Sequence, residues 1–171
     1  MLVVWNHSLR KIFQNPSKIL RPYLQDGMTI LDLGCGPRFF SLEMAKMVPS
    51  GKIIAADLQQ GMLDIVKKKV RGSKWQKIIQ IHKTEPDGIN LLERVDFILA
   101  FYVVHEILDH NKLFEELKTI LKPEGKVLII EPKFHVKKKH FNIMIEKLKN
   151  QEFKIIDNPK VFFSRSALLQ I

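Results

Sequence analysis

The feature that most restricts this chain is an apolar run that ends in two glycines and passes directly into a helix-spaced pattern. Residues 28–33 read Met-Thr-Ile-Leu-Asp-Leu, without the alternation of a half-exposed strand, so a strand covered on both faces is expected. Gly34, Cys35, Gly36 and Pro37 break it. Phe39, Phe40, Met44, Met47 and Val48 then recur at helical spacing until Pro49, Ser50 and Gly51 turn the chain.

The same alternation repeats along the sequence. Strands are expected at 52–56, 77–81, 95–101 and 126–130, with helices at 61–71, 112–121 and 136–150 and a looser stretch around Pro86 and Gly88. Two strand-like segments, 153–156 and 161–163, close the chain around Asp157, Asn158 and Pro159, a connection short enough for a hairpin. Strands that alternate with helices imply an α/β fold: a doubly wound seven-stranded sheet, mostly parallel with an antiparallel last strand, and helices on both faces. Ahead of the sheet, 8–13 and 16–24 read as two short helices, the second capped by Asn15 with Pro16 at its first position. At 171 residues one core is expected, giving one domain over 1–171, with 1–25 as a helical lid and 26–171 as the body.

Composition narrows the classes further. Hydrophobic residues are 46% and charged residues 27%, which is ordinary globular usage and disfavours disorder or a rod. The longest apolar run, 97–104, is far short of the ~20 residues a membrane-spanning helix needs. No basic leader or cleavage site opens the sequence, so a cytoplasmic location is expected. A single cysteine, Cys35, excludes an internal disulfide and a thiolate metal cluster, and no metal is expected. The net charge of +10 raises general attraction to polyanions, with clusters at Lys67, Lys68 and Lys69 and at Lys137, Lys138 and Lys139. Only Trp75 is interleaved with such a run, which keeps nucleic acid as a second choice of partner.

In an open doubly wound sheet, ligands bind beyond the carboxyl ends of the strands where strand order reverses, which points to the turn Gly34 to Gly36. Asp57 follows 21 residues after Gly36, at the tip of the second strand. A carboxylate there either accepts both hydroxyls of a ribose or caps the helix that follows Gln59. The dinucleotide fingerprint would need a third glycine where Phe39 stands, so pyrophosphate binding is disfavoured.

With these sites in place, the chain resembles the class I S-adenosylmethionine-dependent methyltransferases along nearly its whole length. Five motifs in order carry the resemblance: Ile30-Leu-Asp-Leu-Gly-Cys-Gly-Pro37, Ile54-Ala-Ala-Asp57, Gly61-Met-Leu63, Asp96-Phe-Ile-Leu-Ala-Phe101 and Leu121-Lys-Pro-Glu-Gly-Lys-Val-Leu128. It is most similar to the branch that contains the ubiquinone and menaquinone C-methyltransferases. The resemblance implies a Rossmann-like sheet and S-adenosyl-L-methionine as cofactor. It further implies that Gly34 and Gly36 line the methionine part, Asp32 orients its amino group, Asp57 holds the ribose, and Leu58 and Met62 sandwich the adenine. Where the family often has an Asp for the adenine amino group, this chain has Thr84 and Glu85, and either can accept. Ala100 and Phe101 would border the sulfonium. Arg38 departs from the family, which usually has a small residue there; it would grip the cofactor carboxylate, obstruct the pocket or point to solvent.

The methyl acceptor should approach from the ends of the fourth and fifth strands, where Tyr102, His105, Glu106, Glu131 and His135 gather, with Trp5 and His7 as a cover. His105 and Glu106 are the expected base or orienting pair, with Tyr102 beside them. No Asn/Asp-Pro-Pro-Tyr-type sequence follows the fourth strand, and no inserted substrate domain is present. A small-molecule acceptor is therefore expected first, RNA second, and a cofactor-binding partner subunit without its own activity third.

Overall fold

Successive residues of each strand point to opposite sides of one sheet, and that alternation divides the core in two. The computed structural model describes residues 15–37 and 40–171. Its elements in chain order are α1 (Pro16–Leu20), β1 (Thr29–Leu33), α2 (Phe40–Met47), β2 (Lys52–Asp57), α3 (Gln60–Val70), β3 (Ile79–Lys83), β4 (Val95–Phe101), α4 (His110–Ile120), β5 (Leu121–Pro132), α5 (Lys138–Asn150), β6 (Lys154–Asp157) and β7 (Ser164–Gln170). Short 3₁₀ turns cover Lys74–Lys77 and Val104–Glu106. The expected helix at 8–13 lies outside the described residues.

The seven strands run in the order β3-β2-β1-β4-β5-β7-β6. Parallel pairing joins β3, β2, β1, β4 and β5, and β7 runs antiparallel between β5 and β6. Strand order reverses between β1 and β4, so the crevice at their carboxyl ends is the place for a ligand. On one face Leu31, Leu33, Ile54, Ile98, Val127 and Ile129 meet Leu113, Phe114 and Leu117 of α4 and Phe141, Met144 and Leu148 of α5. On the other, Ile30, Ile53, Phe97, Leu99, Leu128 and Ile130 meet Leu20, Phe40, Met44, Leu63 and Val66 of α1, α2 and α3. Each of these fully covered aliphatic side chains contributes roughly 1.5–3 kcal/mol relative to exposure.

Local chemistry sets the helix ends. The Asn15 side chain accepts the Ser17 amide at 3.0 Å and Pro16 opens α1, as expected, although α1 ends at Leu20 and not at 24. Asp109 caps α4 by accepting the Lys112 amide, which starts that helix two residues earlier than expected. At the amino end of β4, the Asp96 carboxylate takes the Thr29 amide and the Lys122 ammonium, both at 2.8 Å, so two of the recognised motifs are bonded to each other.

Several strand boundaries differ from expectation: β3 spans Ile79–Lys83 and not 77–81, because Lys74–Lys77 form a 3₁₀ turn, and β6 is shifted by one residue. The segment 161–163 is not a strand: Phe162 and Phe163 are exposed, Phe163 has φ +50, and β7 begins only at Ser164. β5 also starts early, at Leu121, because Leu121 pairs with Val95 across a register shift.

Candidate active site

Five strand ends converge on one edge. Register places Leu33 beside Ala56 and Ala100, Asp57 beside Lys83, and Phe101 beside Ile130, so the turns after β1, β2, β3, β4 and β5 share the carboxyl edge of the sheet.

The turn after β1 is built so that only glycine fits at its first position. Gly34 has φ +66, and a Cβ there would lie 2.7 Å from Val103 Cβ and closer still to one of its methyls. The loop after β4 therefore presses on the glycine turn. Gly36 has φ +52, and among the described residues a Cβ there would meet only the Gly34 carbonyl, at 3.9 Å. Between them Cys35 is buried and donates its amide to Ala56 O at 2.9 Å; burial, with Asp32 and Asp57 nearby, pushes its thiol pKa far above the usual range.

Asp57 is buried at the tip of β2, and two backbone amides fix its carboxylate. Gly36 N–H donates to Oδ2 and Gln59 N–H to Oδ1, each at 2.8 Å. The carboxylate thus ties the glycine turn to the residue that precedes α3. A carboxylate offers about four acceptor positions, so two remain after these bonds. Asp32, on the strand beside it, is buried and accepts the Ser41 hydroxyl from α2.

The remaining expected cofactor residues follow the same edge. Leu58 is half exposed and Met62 half buried, one turn into α3. Thr84 is buried and donates its amide to Asp57 O at 3.1 Å, while Glu85 is exposed and pairs through its backbone with Gly88. Ala100 is fully covered in the core layer toward α4, and Phe101 packs its ring on Phe40 at 4.4 Å and on Tyr102 at 4.3 Å. Arg38, Trp5 and His7 lie outside the described residues.

On the acceptor side, His105 is bonded through Nδ1 to Glu131 Oε2, from the end of β5. Consecutive residues of a 3₁₀ turn diverge by about 120°, and Glu106 stands exposed on the turn. Glu131 is fully buried, and its second oxygen accepts the Val104 amide at 2.9 Å. His135 stacks on His105 at 5.7 Å with 13° between the rings. Tyr102 is held with φ +60 and bonds through its hydroxyl to Ser164 Oγ at 2.6 Å; because Ser164 Oγ donates to Phe162 O, the tyrosine is the donor. Ser41, Val103 and Ser164 carry no motif of their own, and only their long-range contacts reveal them.

Known proteins resemble this chain in sequence and in fold. A family model described as Methyltransferase domain matches residues 4–170. The chain is 35% identical over 103 residues to a demethylmenaquinone methyltransferase of Lactobacillus johnsonii, covering 59% of this chain and 42% of that one. It is 26% identical over 141 residues to a ribosomal protein L11 methyltransferase of Dictyoglomus turgidum, covering 82% of this chain and 43% of that one. It thus spans less than half the length of these curated relatives. Among solved structures, a SAM-dependent methyltransferase from Aquifex aeolicus superposes with a TM-score of 0.80 at 28% identity, covering 95% of this chain and 93% of the other. The chain belongs to the methyltransferase domain family, in its class I S-adenosylmethionine-dependent form.

Proposed function

We propose that this chain transfers a methyl group from S-adenosylmethionine to a small-molecule acceptor. The observation that carries the reading is the carboxylate of Asp57, oriented by the Gly36 amide, at the point where strand order reverses. A vicinal diol has two donors to place, and Asp57 retains two acceptor positions on a carboxylate that cannot swing away. Asp32, which accepts the Ser41 hydroxyl, would orient the cofactor's cationic amino group. Leu58 and Met62 offer apolar area for a planar base, and buried Thr84 is better placed than exposed Glu85 to border it.

The bound cofactor supplies an electrophilic methyl group, so the protein's task is to align a nucleophile and exclude water. Glu131 holds the His105 ring; with Nδ1–H donating to that carboxylate, Nε2 carries the lone pair and serves as the base toward an acceptor. Tyr102 acts as a strut that fixes this turn against the start of β7. Residues 26–171 would form the cofactor-binding body. A small acceptor is supported by the demethylmenaquinone methyltransferase likeness. Titration calorimetry of the whole protein with S-adenosylmethionine and S-adenosylhomocysteine tests the reading. Binding of both is expected, and binding of neither by folded protein would contradict it.

A further inference from the structure

Beyond the carboxyl end of β5, two segments that are bonded to each other carry exposed aromatic rings and no acidic residue. Lys133 N–H donates to Phe163 O at 3.0 Å, and Pro132 lies opposite Ser164, which joins 132–136 to 159–164. Phe134 is 63% exposed and Phe163 59%, with Phe162 packed edge-on against Phe163 at 4.7 Å. Around them Lys133, Lys137, Lys138, Lys139 and Lys160 are all exposed. Neither 132–145 nor 158–171 contains an Asp or a Glu. Beyond the contacts Phe134–His135 and Phe162–Phe163, much of this ring area faces solvent, and the lysines around it set the sign of what it meets.

We propose that this face docks on an anionic lipid surface. Phenyl rings enter the boundary between headgroups and acyl chains, while lysines stay at headgroup level and attract anionic lipid. A single-stranded nucleic acid fits less well. The 76° edge contact between Phe162 and Phe163 keeps them from presenting parallel faces to successive bases, and Arg165, the one guanidinium here, donates Nε to Val136 O and is half buried. Docking does not depend on methyl transfer. It would also turn the ends of β4 and β5 toward the lipid, with His135 bridging Phe134 and His105, a consequence that rests on the methyltransferase reading.

The test is co-sedimentation of the whole protein, without cofactor, with vesicles of equal parts phosphatidylcholine and phosphatidylglycerol, against pure phosphatidylcholine. Binding is expected only to the anionic vesicles and should weaken with salt. Lys137→Gln with Lys138→Gln should weaken it about five-fold for each lysine. Phe134→Ser with Phe163→Ser should weaken it several-fold, and both pairs lie at exposed positions, so circular dichroism should be unchanged. Lys67→Gln with Lys68→Gln, the same charge change on α3, should leave binding near the wild-type value. The proposal is overturned by no binding to anionic vesicles at low salt, by equal loss in the two lysine pairs, or by indifference to the phenylalanine pair. Preference for a single-stranded RNA with the same sensitivities would equally overturn it.

Discussion

Glu131 and His105 stand 26 positions apart in the chain and are joined side chain to side chain, the carboxylate from the buried end of β5 and the ring from the turn after β4. Because the other Glu131 oxygen takes the Val104 amide, one buried group fixes both the backbone and the side chain of that turn. Glu131→Leu leaves the amide without an acceptor and should cost about 1–3 kcal/mol in urea unfolding. Glu131→Gln keeps a carbonyl oxygen for Val104 and should cost less. It should leave cofactor affinity unchanged while lowering turnover, since its target is the orientation of His105.

At Asp57 the expected outcome is the reverse. Asp57→Asn should weaken S-adenosylmethionine binding by about 1.5–3 kcal/mol, the range for hydrogen bonds to a charged group. Calorimetry, with thermal melting as the control for folding, measures it.

Gly34→Ala combines a left-handed backbone, costing about 1–3 kcal/mol, with a collision against Val103. Gly36→Ala meets nothing among the described residues closer than the Gly34 carbonyl at 3.9 Å and should lose less, chiefly through its left-handed backbone. Adding Val103→Ala to Gly34→Ala removes two methyls from the collision and should recover part of the loss. A double-mutant cycle in urea measures this coupling.

Alkaline pH should expose the bond between Tyr23 and Asp157, whose hydroxyl and carboxylate lie 2.7 Å apart. Burial first, then the hydrogen bond and the charge of Asp157, push the Tyr23 pKa up to about 12 from 10.0. The folded state thus favours the neutral phenol. The stabilisation is fully present below pH 10 and is lost as pH rises toward 12. The difference in urea midpoint between wild type and Tyr23→Phe should shrink across that window.

Much of the frame was legible because it rests on local pattern. β4 occupies Val95–Phe101 as expected, since seven consecutive residues with few polar interruptions fit only a strand covered on both faces. β7 was misplaced for an equally physical reason. Val161, Phe162 and Phe163 have strand-forming side chains but stand at a turn, whereas Ser164–Gln170, with no β-branched aliphatic residue, is held extended by pairing with β5 on one side and β6 on the other. The glycine turn and Asp57 were legible from spacing. The bond between His105 and Glu131 was not, because it joins side chains 26 positions apart that only the fold brings together.

The most direct test of the central claim is a crystal structure of the protein with S-adenosylhomocysteine. The ribose hydroxyls are predicted within hydrogen-bond reach of the Asp57 carboxylate, the amino-acid end over Gly34 and Gly36, and the sulfur toward Ala100 and the His105 turn. A ligand bound away from the carboxyl edge of β1, β2 and β4, or a ribose that makes no contact with Asp57, would contradict the account.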